Sequence, residues 1–394
     1  MSQAALSDTD TTNGATTDAT TVPTGTFPLS FSRTPSTVAR TRAEREEILA
    51  DPGFGKKFTD HMVAIDWTVE DGWHDARVIP YGPLQLDPAS SVLHYGQEIF
   101  EGLKAYRHAD GSIWTFRPEK NADRLQRSAR RLALPELPEA DFIESIRQMI
   151  AVDGAWVPSD HETSLYLRPF MIANESFLGV RAAHKVGYYV IASPAGAYFA
   201  DGVAPIKIWL STEYARAGRG GTGAAKCGGN YAASLLPQMQ AYDNDCAQVL
   251  FLDGETGTHI DELGGMNVFF VYGTDTLVTP RLTGSILEGV TRDSIMQLAR
   301  DRGLTVVERD VTLDDWRDGI ASGAITEIFA CGTAAVVTPI SQLKGPGGLV
   351  IGDADAPAGT ITMALRQELT DIQYGILPDR HGWLTRLDAP ADQA

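Results

Sequence analysis

A chain of 394 residues with 43% hydrophobic composition is long enough to bury two cores of ordinary size, so two domains are expected. The formal net charge of -18 argues against a broad surface for nucleic acid or anionic membrane, since both demand a positive field. The longest apolar runs, such as Met266–Tyr272, have the length of a strand and fall far short of the ~20 residues of a membrane-spanning helix.

Residues 1–26 are rich in Thr, Ala and Asp, and no basic residue precedes Arg33. With no charged n-region and no apolar h-region they do not read as a secretory or transit leader, and a disordered acidic tail is expected. Residues 27–192 mix short strands and helices in the α+β manner and are expected to form a smaller N-terminal domain. Its strand Ile113–Phe116 precedes a helix that starts at Asn121 as N-cap and stops before Pro135. A second helix carries Phe142, Ile143, Ile146, Met149 and Ile150 on one stripe and ends near Gly154. A strand is expected over Val186–Ala192, after which Pro and Gly break the periodicity and place an interdomain loop at 193–203. Residues 204–394 are expected to form a larger C-terminal domain, closer to an α/β alternation. Its strands fall at Ile206–Ser211, Gln248–Leu252, Met266–Tyr272 and Thr276–Thr279. A helix capped by Thr291 runs to Arg302 with Ile295, Leu298 and Ala299 buried, and a last helix covers about Ile361–Ile372.

Three cysteines, Cys227, Cys246 and Cys331, are an odd number without an export signal, which points to a reducing cytoplasm. Neither they nor the eight scattered histidines form a metal-ligand spacing, so no metal is expected.

Only eight of the 33 basic residues are lysines, and one stands in Gly218-Arg-Gly-Gly-Thr-Gly-Ala-Ala-Lys226-Cys-Gly-Gly-Asn230. Small residues on both sides let a planar group approach the backbone, and their weak solvation favours a lowered lysine pKa. Such a lysine is suited to imine formation with a carbonyl. The glycines fit neither a P-loop nor GxGxxG. From spacing alone, a solvated lysine in a glycine-rich surface loop stays open as the alternative.

Seven segments extend the argument: Phe100-Glu-Gly-Leu-Lys-Ala-Tyr106, Arg117-Pro with Asn121-Ala-Asp-Arg124, Ser164-Leu-Tyr-Leu-Arg-Pro169, Lys226-Cys-Gly-Gly-Asn-Tyr231, Asp261-Glu-Leu-Gly-Gly-Met-Asn267, Glu288-Gly-Val-Thr-Arg292 and Thr370-Asp-Ile-Gln-Tyr-Gly375. In this order and near this spacing the chain resembles the branched-chain amino-acid aminotransferases, pyridoxal-phosphate (PLP) enzymes of fold type IV, from about Phe58 to Gly375.

The resemblance implies a two-domain fold with PLP between the domains, bound to Lys226. It matches Tyr231 to the tyrosine on the cofactor's phenolic oxygen and Glu262 to the carboxylate at the pyridine nitrogen, where it keeps the ring an electron sink. Arg124, Val290, Thr291 and Thr333 match the phosphate contacts, of which Val290 and Thr291 open a helix whose N-terminus suits an anion. Without the motifs, Glu262 would read as an exposed turn carboxylate, and Arg124 as a surface arginine beside Arg127, Arg130 and Arg131.

The substrate pocket implied by the resemblance is lined by Phe58, Tyr95, Phe100, Tyr166, Tyr198 and the backbone around Ala334, with Leu178–Val180 of a second subunit in a homodimer. Apolar walls of this kind suit a branched side chain. Arg168 is added from strand geometry: two residues after Tyr166, it shares that residue's face and can meet a substrate carboxylate, with a structural arginine as the alternative.

The implied reaction is transamination of leucine, isoleucine and valine with 2-oxoglutarate, giving 2-oxo acids and glutamate by a ping-pong route, as in branched-chain amino-acid biosynthesis. Rival readings are a D-amino-acid aminotransferase, an aminodeoxychorismate lyase and a PLP-binding protein without activity. Gly265 stands where some relatives carry threonine, and Ala335 and Thr338 occupy the positions of a redox-sensing CxxC of some vertebrate members.

Overall fold

The computed structural model of the chain describes residues 28–196 and 202–388. The expected acidic tail and Tyr198 lie outside the described residues.

The helices are α1 (Arg42–Ala50), α2 (Ser91–Tyr95), α3 (Pro118–Arg131), α4 (Glu139–Asp153), α5 (Gly228–Asp243), α6 (Val290–Asp301), α7 (Leu313–Ser322) and α8 (Thr360–Gln373). None of them is long and apolar enough to cross a membrane.

Two mixed sheets organise the chain. The first runs Ser32–Arg33, Gly72–Pro80, His61–Thr68, Lys185–Ala195, Ser164–Ala173, Leu103–Arg107, Ile113–Phe116 and Leu384–Arg386, with Glu98–Phe100 also pairing onto Ser164–Ala173. The second runs Ile260–Leu263, Gln248–Leu252, Ile206–Ser211, Val336–Gly345, Ile325–Gly332, Asn267–Tyr272, Thr276–Pro280 and Thr305–Arg309, with Leu349–Gly352 on Val336–Gly345. The strand expected to stop at Ala192 continues to Ala195, and Leu384–Arg386 returns to the first sheet beside Ile113–Phe116.

The stripe of α4 is buried as its spacing requires: Phe142, Ile146, Met149 and Ile150 join Leu125, Leu165, Leu167 and Val190 in one core, with Ile143 packed against it. Burying each such side chain contributes about 1.5–3 kcal/mol, which decides the face the helix presents. A second core lies under Val268, Phe270 and Trp316. In a third, Phe269, Phe329, Ile295, Leu298, Leu365 and Leu369 meet Tyr106 and Phe116 of the first sheet and Trp383, so the two halves share apolar contact.

Three local expectations are corrected. α3 starts at Pro118, after Arg117 in a left-handed conformation (φ 51). Proline at the first helical position lacks only an N–H that would be unpaired there, and Asn121 is left buried inside the helix rather than capping it. α6 is capped by Gly289, which puts Thr291 in its first turn. Helix α5, directly after Lys226, has no counterpart among the expected elements. It opens on two glycines and contains Pro237, and its apolar residues Leu235, Leu236, Met239 and Tyr242 point outward, so neither propensity nor a core-facing stripe announces it.

Candidate active site

Lys226 lies in the last residues before α5, and its backbone is fixed on both sides. Its N–H donates to Ser128 Oγ at 2.9 Å, and its carbonyl accepts from the Phe100 N–H at 2.9 Å. The side chain turns inward, where Nζ donates to the Tyr231 hydroxyl at 2.6 Å. Tyr231 reaches it because α5 begins two residues after the lysine and its first turn brings position 231 over the amine. Burial, together with the nearby Arg124 charge, lowers the Lys226 pKa to about 8 against the opposing pull of Glu101. A larger share of neutral, nucleophilic amine at neutral pH follows. Lys226 is therefore no solvated loop lysine.

Phe100 forms the wall beside it. Its ring centroid is 4.8 Å from Lys226 Nζ, 4.8 Å from Arg168 Cζ and 4.9 Å from the Tyr231 ring. Leu165 and Leu167 face the core, and the period of two in Ser164–Ala173 sends Tyr166 and Arg168 to the other side. There Arg168 Nη2 donates to the Tyr166 hydroxyl at 3.1 Å. Gly102 explains itself here: a Cβ on it would collide with that same hydroxyl.

Arg124 is 4% exposed, so the surface-helix reading is excluded. Its Nε and Nη2 donate to the two carboxylate oxygens of Glu101 at 2.7 and 2.8 Å, and Nη1 donates to the Glu288 carbonyl at 3.0 Å. Arginine has five N–H groups, which leaves one on each Nη for an anion among the described residues. Burial alone would raise the pKa of Glu101, which is fully buried, but Arg124 and the Asn121 amide hold it below the usual carboxylate value. Glu101 belongs to one of the seven segments, yet the sequence alone assigns it no role.

Val290, Thr291 and Thr333 line one cleft with Asn121 and Lys104. The N-terminus of α6 opens on it, and unpaired N–H groups with a positive dipole end favour an anion there.

At the other end, Glu262 is 3% exposed on Ile260–Leu263. Its Oε1 accepts from Arg216 Nε at 2.9 Å, from Arg216 Nη2 and from the Leu287 N–H at 2.8 Å. Burial raises its pKa to about 7, against the opposing pull of Arg216. Arg216 escapes sequence reasoning because nothing near it in sequence marks it. Only its buried contact with a residue far along the chain does.

The remaining expected pocket residues are less gathered. Phe58 stacks on Tyr81 at 5.1 Å, while Phe54, which the motifs do not point to, meets Tyr166 edge-on at 5.2 Å. Tyr95 is exposed and donates to the Leu178 carbonyl at 2.5 Å. Leu178 and Val180 are on the surface. Ala334 lies in the turn with Thr333.

An amine paired with a phenol, a buried acid at one end and an arginine with a helix N-terminus at the other form the donor set that a pyridine aldehyde phosphate requires, and PLP fits it. Comparison with known proteins agrees. Residues 98–343 match the family model for amino-transferase class IV. The chain is 60% identical over 365 residues to the branched-chain-amino-acid aminotransferase of Mycolicibacterium smegmatis, covering 92% of this chain and 99% of that one. Its fold matches the branched-chain amino acid aminotransferase of Escherichia coli with a TM-score of 0.69 at 27% identity, over 83% of this chain and 99% of that one. A T.th. branched-chain amino acid aminotransferase with pyridoxamine 5'-phosphate matches with a TM-score of 0.68 at 28% identity, over 82% and 99%. That enzyme has also been solved with N-(5'-phosphopyridoxyl)-L-glutamate and with 4-methylvaleric acid. The chain belongs to the class IV amino-transferases, and within them it is a PLP-dependent branched-chain amino acid aminotransferase of fold type IV.

Proposed function

We propose that Lys226 holds PLP and carries the proton between substrate carbon and cofactor, that L-leucine, L-isoleucine and L-valine are the donors, and that 2-oxoglutarate is the acceptor in a ping-pong cycle. PLP supplies an electron sink for the carbanion formed at the substrate's α-carbon. The observation that carries this reading is the Lys226–Tyr231 hydrogen bond, set between the buried pairs Arg124–Glu101 and Arg216–Glu262.

Tyr231 orients the amine and supplies a hydroxyl at the cofactor's phenolic oxygen. Glu262, whose anionic form Arg216 favours, stabilises a protonated pyridine nitrogen. Arg124, Val290, Thr291 and Thr333 hold the phosphate. Phe58, Phe100, Tyr166 and Tyr198 enclose an apolar side chain, and the backbone around Ala334 meets the substrate carboxylate. Arg168 serves the γ-carboxylate of glutamate: its buried Nε has no partner among the described residues, so it has a donor to offer. A relative solved with both a glutamate adduct and 4-methylvaleric acid supports one pocket for the two side chains.

The reading extends to assembly and place. Leu235, Leu236, Met239 and Tyr242, 50–64% exposed along one side of α5, form the kind of apolar surface that a second copy covers, which supports a homodimer. Val180, 87% exposed, and Tyr95 would then complete a neighbouring pocket. The division into residues 27–192 and 204–394 around a linking loop and a cytoplasmic location complete the proposal.

The deciding experiment is a screen of L- and D-amino donors and oxo acceptors on the purified protein, with Lys226→Ala as control. L-leucine with 2-oxoglutarate is expected to turn over, and Lys226→Ala to lose both turnover and the visible absorbance of lysine-bound cofactor. Preference for D-leucine, or turnover by Lys226→Ala, would overturn the assignment.

A further inference from the structure

Lys226 is not alone in its chemistry: Lys104 is also buried, and burial together with the Arg366 charge lowers its pKa to about 8 against the pull of Glu162. It sits on Leu103–Arg107 opposite Tyr166, and its side chain crosses to the other half of the molecule, where Nζ donates to the Ala334 carbonyl at 3.0 Å. Burying an ammonium group is costly unless its hydrogen bonds are made, so this contact is a specific one.

The element it grips is strained. Cys331–Val337 and Gly332–Val336 are the last register pairs of Ile325–Gly332 and Val336–Gly345, so residues 333–335 form a three-residue turn. A turn of this length usually ends on a left-handed residue, where glycine is favoured. Here the position is Val336, with φ 59. A β-branched residue in that region persists only when its surroundings hold it there. Lys104 and the turn's own Thr333 both line the cleft on which the start of α6 opens, with Asn121 and Thr291.

We propose that Lys104 is a positioning residue for the phosphate end of the site, pinning the strained 333–335 turn through the Ala334 carbonyl so that Thr333 is presented opposite the N-terminus of α6. The role rests on the placement of the phosphate between Thr333 and α6 given above. It explains why a strand residue in the first sheet spends a buried charge on a turn in the second.

The test uses the full-length chain loaded with PLP. Lys104→Met is expected to speed PLP loss, read as decay of protein-bound cofactor absorbance in the presence of a carbonyl trap, by about ten-fold, the equivalent of one lost charge-assisted hydrogen bond. Amide exchange in 332–336 rises, while exchange in the middle of α6 does not. In single turnovers of the PLP-saturated variant the leucine concentration giving half the maximal rate rises, because the same turn meets the substrate carboxylate, while the rate at saturating leucine falls less, since no group at the reacting carbon is removed. Lys104→Arg, which keeps a donor and a charge, retains PLP nearly as wild type does. Unchanged PLP loss in a natively folded Lys104→Met protein overturns the proposal. Should that variant fail to fold, a natively folded Lys104→Arg protein that loses PLP ten-fold faster overturns it equally. Thr333→Ala separates the two levels: if it retains PLP as wild type does, the placement of the phosphate has failed, whatever Lys104 does.

Discussion

Arg216 closes on Glu262 through two nitrogens, and both side chains of the pair are almost fully shielded from water. Removing a cation beside a buried carboxylate raises the carboxylate's pKa, and that of Glu262 already stands at about 7 because of burial. Arg216→Met is therefore expected to move the acid limb of the kcat/KM profile upward by about one pH unit or more. Glu262→Gln, which cannot ionise, should keep PLP bound, slow the proton shift and remove that limb altogether. An acid limb at the same pH in wild type and Arg216→Met would show that Glu262 ionisation does not set it.

Arg124 is expected to matter twice. Arg124→Ala removes the proposed phosphate contact and also strands Glu101 in a buried setting, so it should weaken PLP retention and cost about 3–5 kcal/mol in unfolding free energy. Glu101→Ala makes the sharper measurement. Glu101 is an anion close to where the phosphate is placed, so its removal should tighten PLP if repulsion dominates, and loosen it if the fixed direction of Arg124 dominates. Loosened binding is expected, since both carboxylate oxygens are committed to the guanidinium. Tighter PLP binding in Glu101→Ala would refute the orienting role.

Arg168 offers a comparison within one enzyme. Stacked near Phe100 and bonded to the Tyr166 hydroxyl, it can rest beside an apolar side chain without losing all its partners. Arg168→Gln should slow the glutamate half-reaction about ten-fold more than the leucine half-reaction, measured as separate single turnovers. Equal losses would make it a structural arginine.

The thiols are expected to be silent. Cys227, Cys246 and Cys331 are all free and buried, out of reach of a bulky oxidant, and burial pushes the Cys331 pKa up to about 12, so that residue carries almost no thiolate near neutrality. Mild oxidation should leave activity nearly unchanged. Reversible inactivation restored by a dithiol would identify a reactive cysteine, with Cys227 beside Lys226 the first to replace.

Where a side chain's role depends on neighbours in sequence, it is legible there. The small residues around Lys226 point to its chemistry, and the composition of Ile113–Phe116 places that strand to the residue. Lys226, Tyr231, Phe100, Tyr166, Arg168 and Arg124 do converge. Where the role depends on a distant partner it is not: the ends of the Arg216–Glu262 and Arg124–Glu101 pairs lie 46 and 23 residues apart, and periodicity carries no information over such spans. The unexpected α5 has a different cause, since a helix whose apolar side points away from its own core has no stripe for pattern reading to find.

The strand Leu384–Arg386 closes an edge laid down by Ile113–Phe116, with Trp383 packed on Phe116 and over Arg117. During synthesis the first sheet therefore waits with an unpaired edge while the whole second sheet is made, and long-range pairings of this kind form slowly. The strand Leu384–Arg386 acts as a clasp: neither half can complete its own apolar packing alone, and heat is expected to melt the two together in a single cooperative transition.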